Sequence, residues 1–247
     1  MLRWTLPLLL TVATASAAFG ADLQAHKHRY APPPDSVEVV LVRHGASEAA
    51  LPGVSFPMID GQGDPALSEV GRSQARSVAA ELGDADFSGL FVSTLRRTQE
   101  TAAPLVERTG LDVRVLPDLR EVFLGELEGG EYRIKVAEGD PLVVEVARQE
   151  RWDVIPGAEP PEDFQGRLRA AIEEIAATVP AGTTAVAFAH GATIGQLCAM
   201  ATSSRPFAFI HADNGSISRL VVHPDGTWLL RSFNETRHLD IPTGPVG

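Results

Sequence analysis

Two short apolar runs of this chain end in the same way, and that constrains it most. Val37-Glu38-Val39-Val40-Leu41-Val42 leads directly into Arg43-His44-Gly45, and Thr184-Ala185-Val186-Ala187-Phe188-Ala189 leads into His190-Gly191. Short apolar runs bounded by turn residues read as buried strands. Open parallel sheets place ligand sites just beyond the carboxyl ends of their strands. Two histidines at two such ends, with Arg43 beside the first, make a candidate cationic site for phosphate.

The rest of the pattern supplies the sheet and its cover. Leu67-Ser68-Glu69-Val70-Gly71 opens a helix running through Gln74-Ala75 to Leu82, with Ser68 as its N-cap. Leu90-Phe91-Val92 reads as a strand, Arg97 to Arg108 as a helix, and Val113 to Leu116 as a further strand leading to Leu119-Arg120-Glu121. Phe164 to Val179 is an amphipathic helix with Leu168, Ile172 and Ile175 on one face, and a helix from Thr193 to Met200 follows the second histidine strand. Two strand patterns, Ile217 to Val222 and Trp228 to Phe233, are joined by a Pro224-Asp225-Gly226 turn. Strands alternating with helices imply an α/β fold, a three-layer sandwich with a mostly parallel sheet flanked by helices. Residues 126–162 are punctuated by Gly129-Gly130, Gly139-Asp140-Pro141, Pro156-Gly157 and Pro160-Pro161, the composition of a small cap insertion.

Residues 1–20 have a basic start, a short apolar stretch and the small residues Ala13 to Gly20, the layout of a secretory signal with cleavage near Ala15-Ser16-Ala17. Residues 21–36, with Ala31-Pro32-Pro33-Pro34-Asp35, read as a linker, and 37–247 as one catalytic-sized domain. The expected location is secreted or periplasmic, with no stable membrane association once the signal is removed. Cys198 is the single cysteine, so no intrachain disulfide can form, and it reads as an inert buried thiol. A net charge of −11 argues against nucleic acid and anionic membranes as main partners and suits a small anionic substrate met by a local cationic pocket.

Four separated elements together resemble the histidine phosphatase (phosphoglycerate mutase-like) superfamily. They are Leu41-Val42-Arg43-His44-Gly45-Ala46-Ser47, Ser93-Thr94-Leu95-Arg96-Arg97-Thr98-Gln99-Glu100-Thr101, Leu119-Arg120-Glu121 with Gly125 and Glu128-Gly129, and Ala189-His190-Gly191. The resemblance puts the nucleophile on His44, a phosphate-contacting hydroxyl on Ser47, the catalytic arginine on Arg97 and the acid on Glu121. A neutral His44 imidazole would attack phosphorus and form a phosphohistidine. Arg43 and Arg97 would clamp the phosphate oxygens, a protonated His190 would add a third cation, and Gly191 would let the backbone approach the phosphate. Glu121 would protonate the leaving alcohol and then deprotonate the attacking water. Arg96 competes with Arg97 for the arginine role.

These roles imply an exported, metal-independent phosphomonoesterase acting on small phosphorylated substrates, with no cofactor. The alternatives are a phosphoglycerate mutase-type phosphotransferase and a pocket that binds a phosphorylated ligand without turnover. Two positions depart from the pattern: Ala50 stands where an asparagine contacts phosphate in many members, and Ala46 where an acidic or amide residue is common. His211, His223 and His238 have no clustered partners and read as structural. Asn214-Gly215-Ser216 and Asn234-Glu235-Thr236 match glycosylation sequons no better than chance would.

Overall fold

The computed structural model describes residues 30–83 and 85–239; the expected signal and residues 21–29 of the expected linker lie outside them. Six consecutive residues of strand β1 (Val37–Arg43) are buried. The odd positions Val39 and Leu41 join one core cluster and the even positions Val40 and Val42 the other, so the strand is covered on both faces. A continuous apolar run is what such a strand requires. β6 (Thr184–Ala189) pairs with it in parallel, bringing Arg43 level with Ala189.

Outward from β6 come β4 (Gly89–Val92) and β5 (Val113–Val115), both parallel to it. On the other side of β1 an antiparallel hairpin, β7 (Ile217–Val222) and β8 (Trp228–Glu235), completes the order β5-β4-β6-β1-β7-β8. The sheet is therefore mostly parallel, and its antiparallel pairings are confined to the C-terminal hairpin. β4, β6 and β1 all deliver their carboxyl ends to one edge of the molecule, carrying Ser93, His190 and His44.

Helices α1 (Glu69–Leu82) and α2 (Arg96–Thr109) cover one face through Val78, Leu82, Ala102 and Leu105. Ser68 caps α1 as its sequence predicts, its Oγ accepting from Gly71 N at 3.1 Å. The other face is covered by α5 (Pro161–Thr178) and α6 (Gly191–Thr202). Phe164, Leu168, Ala171, Ile172 and Ile175 of α5 are fully buried at helical spacing, and each large apolar side chain among them contributes roughly 1.5–3 kcal/mol.

Residues 126–162 contain two helices, α3 (Glu131–Glu138) and α4 (Pro141–Gln149). Asp140 caps α4 by accepting from Leu142 N at 2.8 Å, and Pro141 supplies a preset first turn. Val146, Trp152 and Ile155 anchor this segment to the core, whereas α3 buries none of its residues fully. A two-residue hairpin, β2 (Met58–Ile59) and β3 (Gln62–Gly63), turns through Asp60 and Gly61, both at positive φ.

Candidate active site

The loop after β1 is fixed by side chains from three elements. Thr101 Oγ1 on α2 accepts from Gly45 N at 3.0 Å, Gln74 Oε1 on α1 accepts from Ala46 N at 2.8 Å, and Asn214 Nδ2 donates to the His44 carbonyl at 3.0 Å. A Cβ at Gly45 would lie 2.4 Å from the Gly71 carbonyl oxygen, so the start of α1 seats directly on this loop.

His44 is buried, 3% exposed, and its Nδ1 lies 2.7 Å from the Gly45 carbonyl. A carbonyl only accepts, so Nδ1 carries the proton and Nε2 keeps its lone pair. Burial, then the charges of Arg97 and Arg43, hold the His44 pKa well below the ordinary histidine value, leaving the ring neutral.

His190 lies beside it, the two ring centroids 5.2 Å apart and edge to face. Its Nε2 is 2.8 Å from Ser93 Oγ. Thr98 Oγ1 donates to the Leu95 carbonyl at 2.7 Å and lies 3.0 Å from Ser93 Oγ, so it receives the serine proton. Ser93 Oγ then accepts from Leu95 N at 3.2 Å and from His190 Nε2–H. Nδ1 of His190 is buried with no partner in the chain. Burial and the nearby Arg97, His44 and Arg43 push the His190 pKa well down, so within the chain's own field it is neutral.

Arg97 is 6% exposed in the first turn of α2, and its Nη1 donates to the Gly63 carbonyl at 2.9 Å. Burial pulls its pKa to about 10, so it stays charged at neutral pH. Arg96 faces solvent, paired with Glu100 at 2.5 Å, which decides between the two arginines. Arg43 donates to the Ala212 carbonyl. A Cβ at Gly191 would sit 3.3 Å from its guanidinium, so the glycine lets Arg43 lie close against the start of α6. Nε of Arg43 and Nε of Arg97 are buried without partners, as is His190 Nδ1. The two guanidinium N–H groups are unmet donors that an oxyanion matches, and His190 Nδ1 can join them only when it carries a proton.

Glu121 Oε2 accepts from Ala192 N at 3.1 Å, and its Oε1 from Thr193 N at 3.0 Å, so its carboxylate rests on the N-terminus of α6. Arg43, His44, Arg97, Glu121 and Gly191 all line one cavity of about 500 Å³. Ser47 does not. Its hydroxyl accepts from Nη1 of Arg133 at 2.9 Å, and it is Arg133, from α3, that reaches the cavity.

Several further residues of the site were given no role by the sequence. Gln62 Nε2 donates to the Glu121 carbonyl at 2.9 Å, from a hairpin that Asp60-Gly61 could have disclosed. Glu128 accepts from Gly63 N and Leu124 N, each at 2.9 Å. Arg167 of α5 pairs with Glu159 at 2.7 Å and donates to the carbonyls of Asp118, Arg120 and Glu121 at 2.8, 2.9 and 3.0 Å. It thereby grips the turn that carries Glu121. His211 lines the cavity, contrary to its structural reading, whereas His223 bonds Ser36 and His238 bonds the Gly215 carbonyl. Among the described residues no three His, Cys, Asp or Glu side chains group as metal ligands.

The family model described as the histidine phosphatase superfamily (branch 1) matches residues 39–236, from β1 to β8. The chain belongs to that superfamily. A curated relative in Yersinia enterocolitica, "Probable phosphoglycerate mutase GpmB", is 29% identical over 212 residues, covering 83% of this chain and 96% of the relative. The superfamily fold recurs in mycobacterial glucosyl-3-phosphoglycerate phosphatase, 31% identical with a TM-score of 0.66 over 81% of this chain and 99% of that one. It recurs too in phosphoglycerate mutase from Bacillus anthracis, which shares the fold at 24% identity and a TM-score of 0.68, over 83% and 96% of the two chains.

Proposed function

We propose that this superfamily member is an exported, metal-independent phosphomonoesterase that works through a phosphohistidine on His44. The observation that carries the reading is the bare Nε2 of a neutral, buried His44 beside two guanidiniums whose Nε–H groups lack partners. A phosphate dianion supplies the acceptors those groups need and neutralises their charge. The same dianion offsets the guanidinium field at His190 and offers an acceptor to its Nδ1, which favours a proton there.

His44 Nε2 attacks phosphorus as the ester P–O bond breaks, and Glu121 passes its proton to the departing alcohol oxygen. The Gly45 carbonyl, bonded to Nδ1–H, steadies the positive charge the ring gains. Water then attacks phosphorus, gives a proton to Glu121, and the P–N bond breaks to restore His44. Cationic side chains supply the charge neutralisation that phosphoryl transfer demands. Export rests on the signal-like residues 1–20.

The names of the mutase relatives favour a second reading, in which the phosphoryl group returns to a phosphoglycerate instead of to water. One set of assays tests both. The purified protein is expected to release phosphate from several monoesters, in the presence of chelator, faster than it interconverts phosphoglycerates. His44→Ala should abolish that release. Faster interconversion favours the mutase; activity in the alanine variant, or its loss with chelator, overturns the mechanism.

A further inference from the structure

We infer that the substrate is the phosphate monoester of a bulky, largely apolar alcohol, an inference that rests on the phosphomonoesterase reading. At the liquid-water share of about 30 Å³ per heavy atom, the cavity of about 500 Å³ holds roughly sixteen heavy atoms. A phosphoryl group with its bridging oxygen uses five of these positions, leaving space for about ten more by the same measure. A three-carbon acid would fill only half of that space.

The walls say what the remaining space prefers. Arg43, His44, Arg97 and Gly191 form the charged end. The same lining carries the apolar side chains of Phe56, Leu124, Leu127, Tyr132, Val136 and Trp152. Tyr132 and Val136 stand one turn apart on α3, and so share a face. That face serves the cavity although no residue of α3 is fully buried: Tyr132 also packs against the core, and Val136 is still 50% exposed. Trp152 is braced by Tyr132 at 5.7 Å and Phe207 at 4.9 Å between ring centroids, which makes a rigid aromatic surface.

Three of the polar side chains in the lining are already held by the chain itself, while His211 is exposed. Glu128 is held by two backbone amides, Arg133 donates to Ser47 and the Glu48 carbonyl, and Asp213 accepts from Asn234 Nδ2 at 2.8 Å. A polyhydroxylated leaving group would find few free partners there, and its desolvated hydroxyls would count against binding. An aryl or branched alkyl body has no such cost and covers Val136.

The test compares propyl phosphate with 3-phenylpropyl phosphate, whose leaving alcohols have nearly the same basicity, and with 3-phosphoglycerate. The expected kcat/KM is about 30-fold higher for the phenylpropyl ester than for the propyl ester, the effect of taking one phenyl ring out of water, and the gain should fall mainly in KM. Val136→Asp should collapse that ratio below about fivefold, since the new carboxylate opposes the apolar body. The inference is overturned if the two alkyl esters lie within threefold of each other, if 3-phosphoglycerate is the best of the three, or if Val136→Asp leaves the ratio intact. Hydrolysis of none of them, nor of an aryl phosphate, instead removes the phosphomonoesterase reading and the inference with it.

Discussion

The carbonyl of Gly45 decides which nitrogen of His44 can react, and the burial that keeps both imidazoles neutral has a thermodynamic consequence. The unfolded chain binds protons at these two histidines as pH falls through their ordinary value near 6.5, whereas the folded chain, with both pKa values well below it, does not. The unfolded state therefore binds more protons, and stability rises with pH in that range. The contribution is fully present above about pH 7 and is lost on acidification below about 6.5, at up to ~1.4 kcal/mol per histidine per pH unit. Denaturant unfolding should show about 2–3 kcal/mol lost between pH 7.5 and 5.5 from this source, and a His44→Asn/His190→Asn double variant should have a visibly flatter profile. An unchanged slope in the double variant would mean that the rings charge in the folded state. Glu121 is the other residue whose role has a sharp signature. Glu121→Gln keeps the side-chain size and one accepting oxygen but removes the exchangeable proton, so alkyl phosphates should slow about 100-fold or more while aryl phosphates, with better leaving groups, slow far less. Equal losses on both would take the acid role away from it.

Between elements, the tightest seam is the one where α1 meets the His44 loop. A Cβ on Gly71 would lie 1.9 Å from the Ala46 carbonyl oxygen, a backbone atom that cannot step aside without moving the loop. Alanine is the better helix former by about 1 kcal/mol, so in open space Gly71→Ala would stabilise. Here overpacking should win, with a net loss of about 1–3 kcal/mol and a weaker phosphate site, read as a lower Tm and a higher KM. A raised Tm would mean that the loop yields to the added methyl group without loss. The strands on either side of this seam were legible in the sequence because burial on both faces leaves an uninterrupted apolar run, as in Val39 to Val42 and Ala185 to Ala189. Arg43, His44, Arg97 and Glu121 were legible through short motifs, and the structure brings all four to one cavity. What escaped was long-range or faceless. Arg167 sits on an amphipathic helix, where a charge reads as solvent-facing, yet it bonds carbonyls 46–49 residues away. α3 escaped because none of its residues is fully buried, so they form no deep buried stripe.

For the whole molecule, a net charge of −11 surrounds a site built on Arg43, Arg97 and Arg133, so the cationic field is local to the cavity. If residues 1–20 direct export, N-terminal sequencing of the exported protein should read from Ala18, Phe19 or Ala21. Recovery of soluble protein beginning only at Met1 would count against export. The single cysteine bears on the same journey. Cys198 is fully buried on α6 among apolar neighbours, and burial pushes its thiol up to about 12, so almost none of it is thiolate at neutral pH. Folding in an oxidising compartment then needs no disulfide-forming catalyst, and the folded thiol is shielded from mispairing. A chain without its first twenty residues, made in a reducing cytoplasm, should reach the same native state.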